Sequence, residues 1–150
     1  MIPKFDKSGN LPKGIHKATL KETKEIFGIS SARRKWLIRN LEKIIELAKS
    51  TGGLERIIIW GSFVSNKELP QDIDLLLIMK EDFNINKVNA NPDVRKIFDY
   101  AQGKIAFNAD IFWTKSSIGE STINLWLETY QTTRDFKPRG IVEIIINDKK

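Results

Sequence analysis

Asp72 and Asp74 stand two positions apart at the head of an apolar run, Gln71-Asp-Ile-Asp-Leu-Leu-Leu-Ile78. Side chains two apart on a strand share a face, so both carboxylates can converge on one cation while Ile73 turns to the core. Hard divalent ions such as magnesium take carboxylate oxygens, and one or two protein carboxylates plus substrate phosphates usually hold them. Upstream, a second apolar run, Ile57-Ile-Ile-Trp60, ends at Gly61-Ser62. Gly61 permits a sharp turn and close backbone approach, and Ser62 adds a hydroxyl to the amides opening the next short helix, where anions bind well. Phosphate beside metal implies phosphoryl chemistry.

Gly61-Ser62, nine intervening residues and then Asp72-Ile73-Asp74 resembles the signature of the DNA polymerase beta-like nucleotidyltransferase superfamily. The resemblance implies a third carboxylate on a later strand, completing a two-metal centre, and Asp110 within Ala109-Asp-Ile111 matches that position. Ile2-Pro-Lys-Phe-Asp6, Leu11-Pro-Lys-Gly-Ile-His16, Trp60-Gly-Ser-Phe-Val64 and Lys137-Pro-Arg-Gly-Ile-Val142 look like landmarks of a compact prokaryotic branch, related to the minimal nucleotidyltransferases. The likeness implies an α+β fold, a mixed sheet flanked by helices, with the site at the sheet's edge near the Gly-Ser turn. The implied reaction moves a nucleoside monophosphate from a nucleoside triphosphate such as ATP to a hydroxyl of a protein, an RNA end or a small molecule. Asp72, Asp74 and Asp110 would hold magnesium or manganese, with Asp110 also taking the acceptor's proton. Gly61, Ser62 and a basic residue would meet the triphosphate; Lys67, Lys80, Arg134, Lys137 and Arg139 are the candidates.

Each piece has a plainer reading. A Gly-Ser step commonly just ends a strand, an Asp-x-Asp pair commonly sits solvated at a strand end, and Asp110 alone would be an unremarkable charge. Their joint spacing between two strongly apolar runs is what favours a site. A preserved motif shows that a site can form, not that it turns over. Two competing readings therefore stand: a weakly active or inactive binding partner, such as the antitoxin of a toxin-antitoxin pair, and a basic nucleic-acid-binding module. His16 is the sole histidine and has no second ligand at metal spacing, so a structural role fits it best.

These residues need elements to position them. Residues 1–18 contain two prolines and two glycines without helical period and read as an ordered arm or a strand and turn. Thr19 and Glu22 have capping-box spacing, opening a helix to Phe27 that Gly28 stops. A longer helix follows Ser30-Ser31 and ends at Gly52-Gly53. It carries Leu37, Leu41, Ile44, Ile45 and Ala48 on one stripe, with Arg33, Arg34, Lys35, Arg39 and Lys43 mostly outside it. Leu54–Trp60 and Ile73–Met79 are apolar on both faces, as central strands are. Residues 81–90 read as a loop. Asn91-Pro92-Asp93 opens a helix expected to run to Gln102 and to stop at Gly103. Lys104–Thr114 alternates as a strand that sets Asp110 opposite its main apolar face. Ser117 and Glu120 suggest a second capping box for a helix to about Tyr130. Gly140–Ile146 reads as a last strand with a frayed tail over 147–150. Trp60, Trp113 and Trp126 fit core positions, although Trp60, beside Gly61, also suits the border of a nucleotide.

At 150 residues, with no repeat or linker, the chain is expected to form one domain. Its divisions would be an arm (1–18), basic helices (19–53) and a catalytic sheet with helices (54–146). No cysteine is present, which excludes disulfides and thiolate chemistry. Neither an eighteen-residue apolar run nor a secretory signal is seen, so a cytoplasmic protein without a membrane span is expected. The formal charge is +6, and residues 1–53 hold 12 Lys and Arg against 5 Asp and Glu. That asymmetry favours an acidic protein or nucleic-acid partner, met through Lys21, Lys24, Arg33, Arg34 and Arg39, unless the charges simply solvate helix faces.

Overall fold

The structure is a computed structural model describing residues 1–88 and 91–146. The expected frayed tail at 147–150 and the end of the 81–90 loop lie outside the described residues. Five strands form one mixed sheet: β1 (Ile15–Ala18), β2 (Leu54–Trp60), β3 (Ile73–Met79), β4 (Ala109–Lys115) and β5 (Ile141–Ile144), in the order β1-β5-β2-β3-β4. β1 runs parallel to β5 and β3 parallel to β4, whereas β2 is antiparallel to both of its neighbours. The fully apolar runs are thus the inner strands, and the strand carrying Asp110 is an edge. This is the expected α+β architecture, a mixed sheet flanked by helices.

The two faces are covered unequally. Ile57, Ile59, Ile73, Leu75, Leu77, Ala109, Ile111, Val142 and Ile144 point into the larger core, built with helices α1 (Leu20–Phe27) and α2 (Ala32–Ser50) and the segment 92–107. On the other face Ile58, Trp60, Leu76, Ile78 and Ile141 pack with Ile123 and Leu127 of one further helix, Glu120–Tyr130. Asp74 is two residues from Leu76 and shares this thinner face, so its carboxylate emerges where that last helix runs out.

Local chemistry explains most of the element boundaries. The Thr19 box forms in both directions, Thr19 Oγ1 accepting from Glu22 N and Glu22 Oε1 accepting from Thr19 N. Ser31 caps α2 through Arg34 N. Where the sequence suggests one helix from Asn91 to Gln102, the structure has two, α3 (Pro92–Ile97) and α4 (Tyr100–Phe107). Asp99 breaks them: it turns extended and its carboxylate caps α4 at Gln102 N, 3.0 Å, a capping preference that overrides the continuous apolar stripe. Gly103 is therefore not a stop. It sits inside α4, where a Cβ would lie 3.0 Å from Ile111 Cδ1 and from the Lys96 carbonyl, so it serves close packing. Asn108, in left-handed conformation at φ 51°, ends α4, and the strand begins at Ala109 rather than Lys104. The helix over Glu120–Tyr130, α5, also departs from expectation, since Gly119 and not Ser117 precedes it and no side chain caps it. The chain leaves β4 through a single 3-10 turn, Ser116–Ile118, that consumes Ser117.

Candidate metal and phosphate site

Parallel pairing of β3 with β4 puts Asp74 directly beside Asp110, and strand alternation brings Asp72 to the same face. One carboxylate oxygen from each of Asp72, Asp74 and Asp110 lies within 4.8 Å of the other two. Such a cluster of hard oxygens fits a divalent ion of the magnesium type, and its like charges are unfavourable together without a cation. The sequence-derived trio is thus assembled at one end of the sheet, at its β4 edge.

Gly61 is required by this geometry. Trp60 pairs with Asp74 across β2 and β3, so the chain turns at Gly61 immediately over the carboxylate. Its φ of 85° with ψ of −163° is open essentially only to glycine, and a Cβ there would overlap Asp74 Oδ2. Ser62–Val64 follows as a single 3-10 turn in which Ser62 is half-buried. The loop behind it is anchored by Arg34, only 2% exposed, which donates to the carbonyls of Phe27, Ser62, Phe63, Ser65 and Lys67. Lys67 contributes its carbonyl to this anchor and leaves its ammonium exposed on the loop. Arg34 is consequently withdrawn from the basic surface on which the sequence places it. Its burial next to a loop it must hold explains why a charge on α2 turns inward.

The donors nearest the carboxylates come from α4, which the sequence reading assigns partly to a strand. Lys104 Nζ lies 2.5 Å from Asp72 Oδ2 and 3.1 Å from Asp110 Oδ1. One helical turn earlier, the Tyr100 hydroxyl donates to Asp110 Oδ1 at 2.6 Å. Positions i and i+4 of a helix share a face, so α4 delivers both donors together. The Asp99 cap is the sequence signal for this, because starting the helix at Tyr100 makes Tyr100 and Lys104 one turn apart. Asn108 then ties the strands together at this end, its amide donating to the Gln71 carbonyl just before Asp72.

The carboxylates are electrostatically distinct. Burial, then a hydrogen bond with Asp110 and the Asp72 charge, pushes Asp74 up to about 7. Asp110 is also opposed by burial, but hydrogen bonds from Tyr100, Asp74 and Lys104 hold it below the ordinary carboxylate range. The two interact as a pair, and Asp74 is the member more readily protonated. Asp93 and Asp99 belong elsewhere, Asp93 in an ion pair with Lys96 and Asp99 in its cap.

Among the other candidate basic residues, Lys80 lies at the opposite end of β3, and Arg134 and Lys137 are exposed. Arg139 is half-buried. Desolvation lowers its pKa while the Asp74 charge raises it, and its Nε is buried without a partner among the described residues. Trp60 is buried as expected, its ring stacked on Tyr130 at 3.6 Å and on Phe112 at 6.1 Å. Next to Tyr100 a cavity of about 430 Å³ opens, lined chiefly by Phe112, Trp113, Trp126 and Tyr130. Another, about 450 Å³, lies at the far end of the sheet around Gly53 and Phe83, away from the carboxylates. His16 has a structural place, Nε2 donating to the Pro12 carbonyl at 2.6 Å. No helix among the described residues is long and apolar enough to cross a membrane.

The profile of a Family of unknown function (DUF6932) matches residues 3–145. A crystal structure described as a "putative nucleotidyltransferase from Sulfolobus solfataricus" is similar at 26% identity over 60% of this chain and 79% of that one. Its TM-score of 0.35 is too low for the two folds to be equated. Among curated proteins none matches the chain.

Proposed function

The chain belongs to the DUF6932 family, whose description names no activity, and we propose from the chemistry of its own site that it is a divalent-metal-dependent nucleotidyltransferase. It would move a nucleoside monophosphate from a nucleoside triphosphate to a hydroxyl acceptor. The observation that carries this reading is the convergence of Asp72, Asp74 and Asp110 within 4.8 Å, directly under the Gly61 turn.

Asp72, Asp74 and Asp110 are the residues that would hold magnesium or manganese. When bound, the ion neutralises phosphate charge and lowers the pKa of a coordinated oxygen. Gly61 brings backbone close to the carboxylates without a side chain in the way, and Ser62 offers its hydroxyl to a phosphate oxygen. The acceptor oxygen forms the new bond to the α-phosphorus as the bond to pyrophosphate breaks. Asp110, kept ionised by Tyr100 and Lys104, receives the acceptor's proton. Arg139 has a guanidinium without an ion-pair partner among the described residues and serves the leaving pyrophosphate. The aromatic cavity beside Tyr100 suits a flat ring held by stacking, as a nucleobase or an aromatic acceptor would be.

One observation favours a second reading, that of a binding partner such as an antitoxin with little turnover. The Lys104 ammonium already neutralises part of the cluster, so the carboxylates are tolerated without a metal. Incorporation of labelled nucleotide separates the two. Wild-type protein is incubated with magnesium or manganese, each of the four triphosphates and a cell lysate as the source of acceptors. Transfer is expected for wild type and at least 100-fold less for Asp110→Asn. A wild type that labels nothing under any of these conditions sinks the enzymatic reading.

A further inference from the structure

We infer that Lys104 is a built-in cation of this site, occupying the place of one divalent ion so that the three carboxylates take up a single metal ion rather than two. The inference rests on the metal-binding reading above and deepens it.

Lys104 does not touch the carboxylates at random. Its Nζ bridges Asp72 and Asp110, at 2.5 and 3.1 Å, and makes no ion pair with Asp74. Asp74 lies on the Gly61 side, paired across the sheet with Trp60 and, on its other flank, with Asp110. The ammonium therefore takes up the Asp72 and Asp110 side of the cluster, and the carboxylate it leaves uncontacted for a metal is Asp74, under the glycine turn.

Its placement is also enforced. The Asp99 cap fixes the start of α4, Gly103 lets the helix close onto Ile111, and Asn108 ends it against Gln71. A helix clamped at both ends delivers Lys104 with its side chain about one-third exposed, and the stem spans the gap from α4 to the far strand β3. A lysine that merely solvates a helix face has no such constraint.

Charge agrees with the assignment. With all three carboxylates ionised, as metal binding requires, and no substrate present, they carry three negative charges, and one ammonium plus one divalent ion matches them. Two divalent ions in addition to Lys104 would overfill a partly buried cluster by two charges, which is costly away from bulk water. Lysine differs from a metal in one respect that matters to the reaction. It neutralises Asp110 without coordinating it, leaving a lone pair to take the acceptor's proton.

The test counts bound metal. Manganese is titrated into wild type, Lys104→Met and Lys104→Arg without nucleotide, with free manganese read by electron paramagnetic resonance. Wild type and Lys104→Arg are expected to bind one ion per chain. Lys104→Met should bind two, the second at least tenfold more tightly than any second ion in wild type. Thermal melts in chelator provide the control for folding: Lys104→Met should melt below wild type and recover when manganese is added. Two ions in wild type, or one in both wild type and Lys104→Met, would overturn the inference while leaving the metal-site reading intact. No bound manganese in any of the three overturns both.

Discussion

Asp74 is the residue at which structure and electrostatics are most closely joined. Pressed between Trp60, the Gly61 turn and Asp110, it holds a proton up to about pH 7 that the unfolded chain would release near 4. The folded state thus binds more protons than the unfolded state in that interval, and stability falls as pH rises through it. Asp74→Asn should therefore melt several degrees above wild type at pH 8 in chelator, and the advantage should shrink as pH drops toward 4. Scanning calorimetry across that range checks the sign. An advantage that grows on acidification would show that Asp74 is a stabilising anion instead. Manganese affinity should rise over the same interval, because the ion displaces the proton. Gly61→Ala tests the neighbouring constraint. With a positive φ and a Cβ overlapping Asp74 Oδ2, it should cost about 1 to 3 kcal/mol in denaturant unfolding and move the carboxylate enough to weaken manganese binding. Serine, equally constrained, should not rescue it.

At the scale of elements, the site depends on a loop and a helix whose ends are set by single polar residues. Arg34 holds the 62–67 loop through carbonyls and not through a carboxylate, so the geometry of its planar fork matters more than its charge. Arg34→Lys should be destabilising by about 2 to 4 kcal/mol despite keeping the charge, since several buried carbonyls lose their donor. Urea unfolding measures the loss. A change below about 0.5 kcal/mol would mean that the loop is held by other contacts. The same elements show what is legible in the sequence and what is not. Asp72, Asp74 and Gly61 are readable because strand alternation and a turn act over a few residues. Asp110 requires only the family signature, and the register of β3 on β4 then places it. Lys104 and Tyr100 are not readable as site residues because the alternation in Lys104–Thr114 mimics a strand as far as Phe107. Only the competition between a continuous apolar stripe and the Asp99 cap decides that α4 starts anew at Tyr100. Arg34 is hidden for a related reason, since helical periodicity gives its direction but not the carbonyls that await it.

For the molecule as a whole, the charge is laid out in two regions with different neighbours. The carboxylate site lies at the β4 edge on the thinner face, whereas α2 covers the larger core on the other face. On the outer surface of α2, Arg33, Lys35, Arg39 and Lys43 are exposed, and Trp36 lies 40% exposed among them with the Arg33 guanidinium 5.7 Å from its ring. With Arg34 buried and Lys24 engaged by Glu42, Lys35 and Lys43 join the expected Arg33 and Arg39 on this basic face. Cations interleaved with an exposed indole offer both phosphate contacts and a stacking surface, the combination that single-stranded nucleic acid uses. Salt-sensitive binding of a single-stranded RNA oligonucleotide is therefore expected, and fluorescence anisotropy at about 50 and 200 mM salt should show affinity falling at least tenfold. Arg39→Glu with Lys43→Glu should weaken it further, and Trp36→Ala should weaken it with a smaller change in salt slope. Arg39→Glu with Lys43→Glu should not alter manganese or triphosphate binding, since neither side chain pairs with the carboxylates, whereas Arg33, stacked on Trp36, reaches the Gln71 carbonyl next to Asp72. If anisotropy stays flat for RNA at the lower salt, the α2 charges solvate a helix face and the acceptor must be recognised at the carboxylate edge itself.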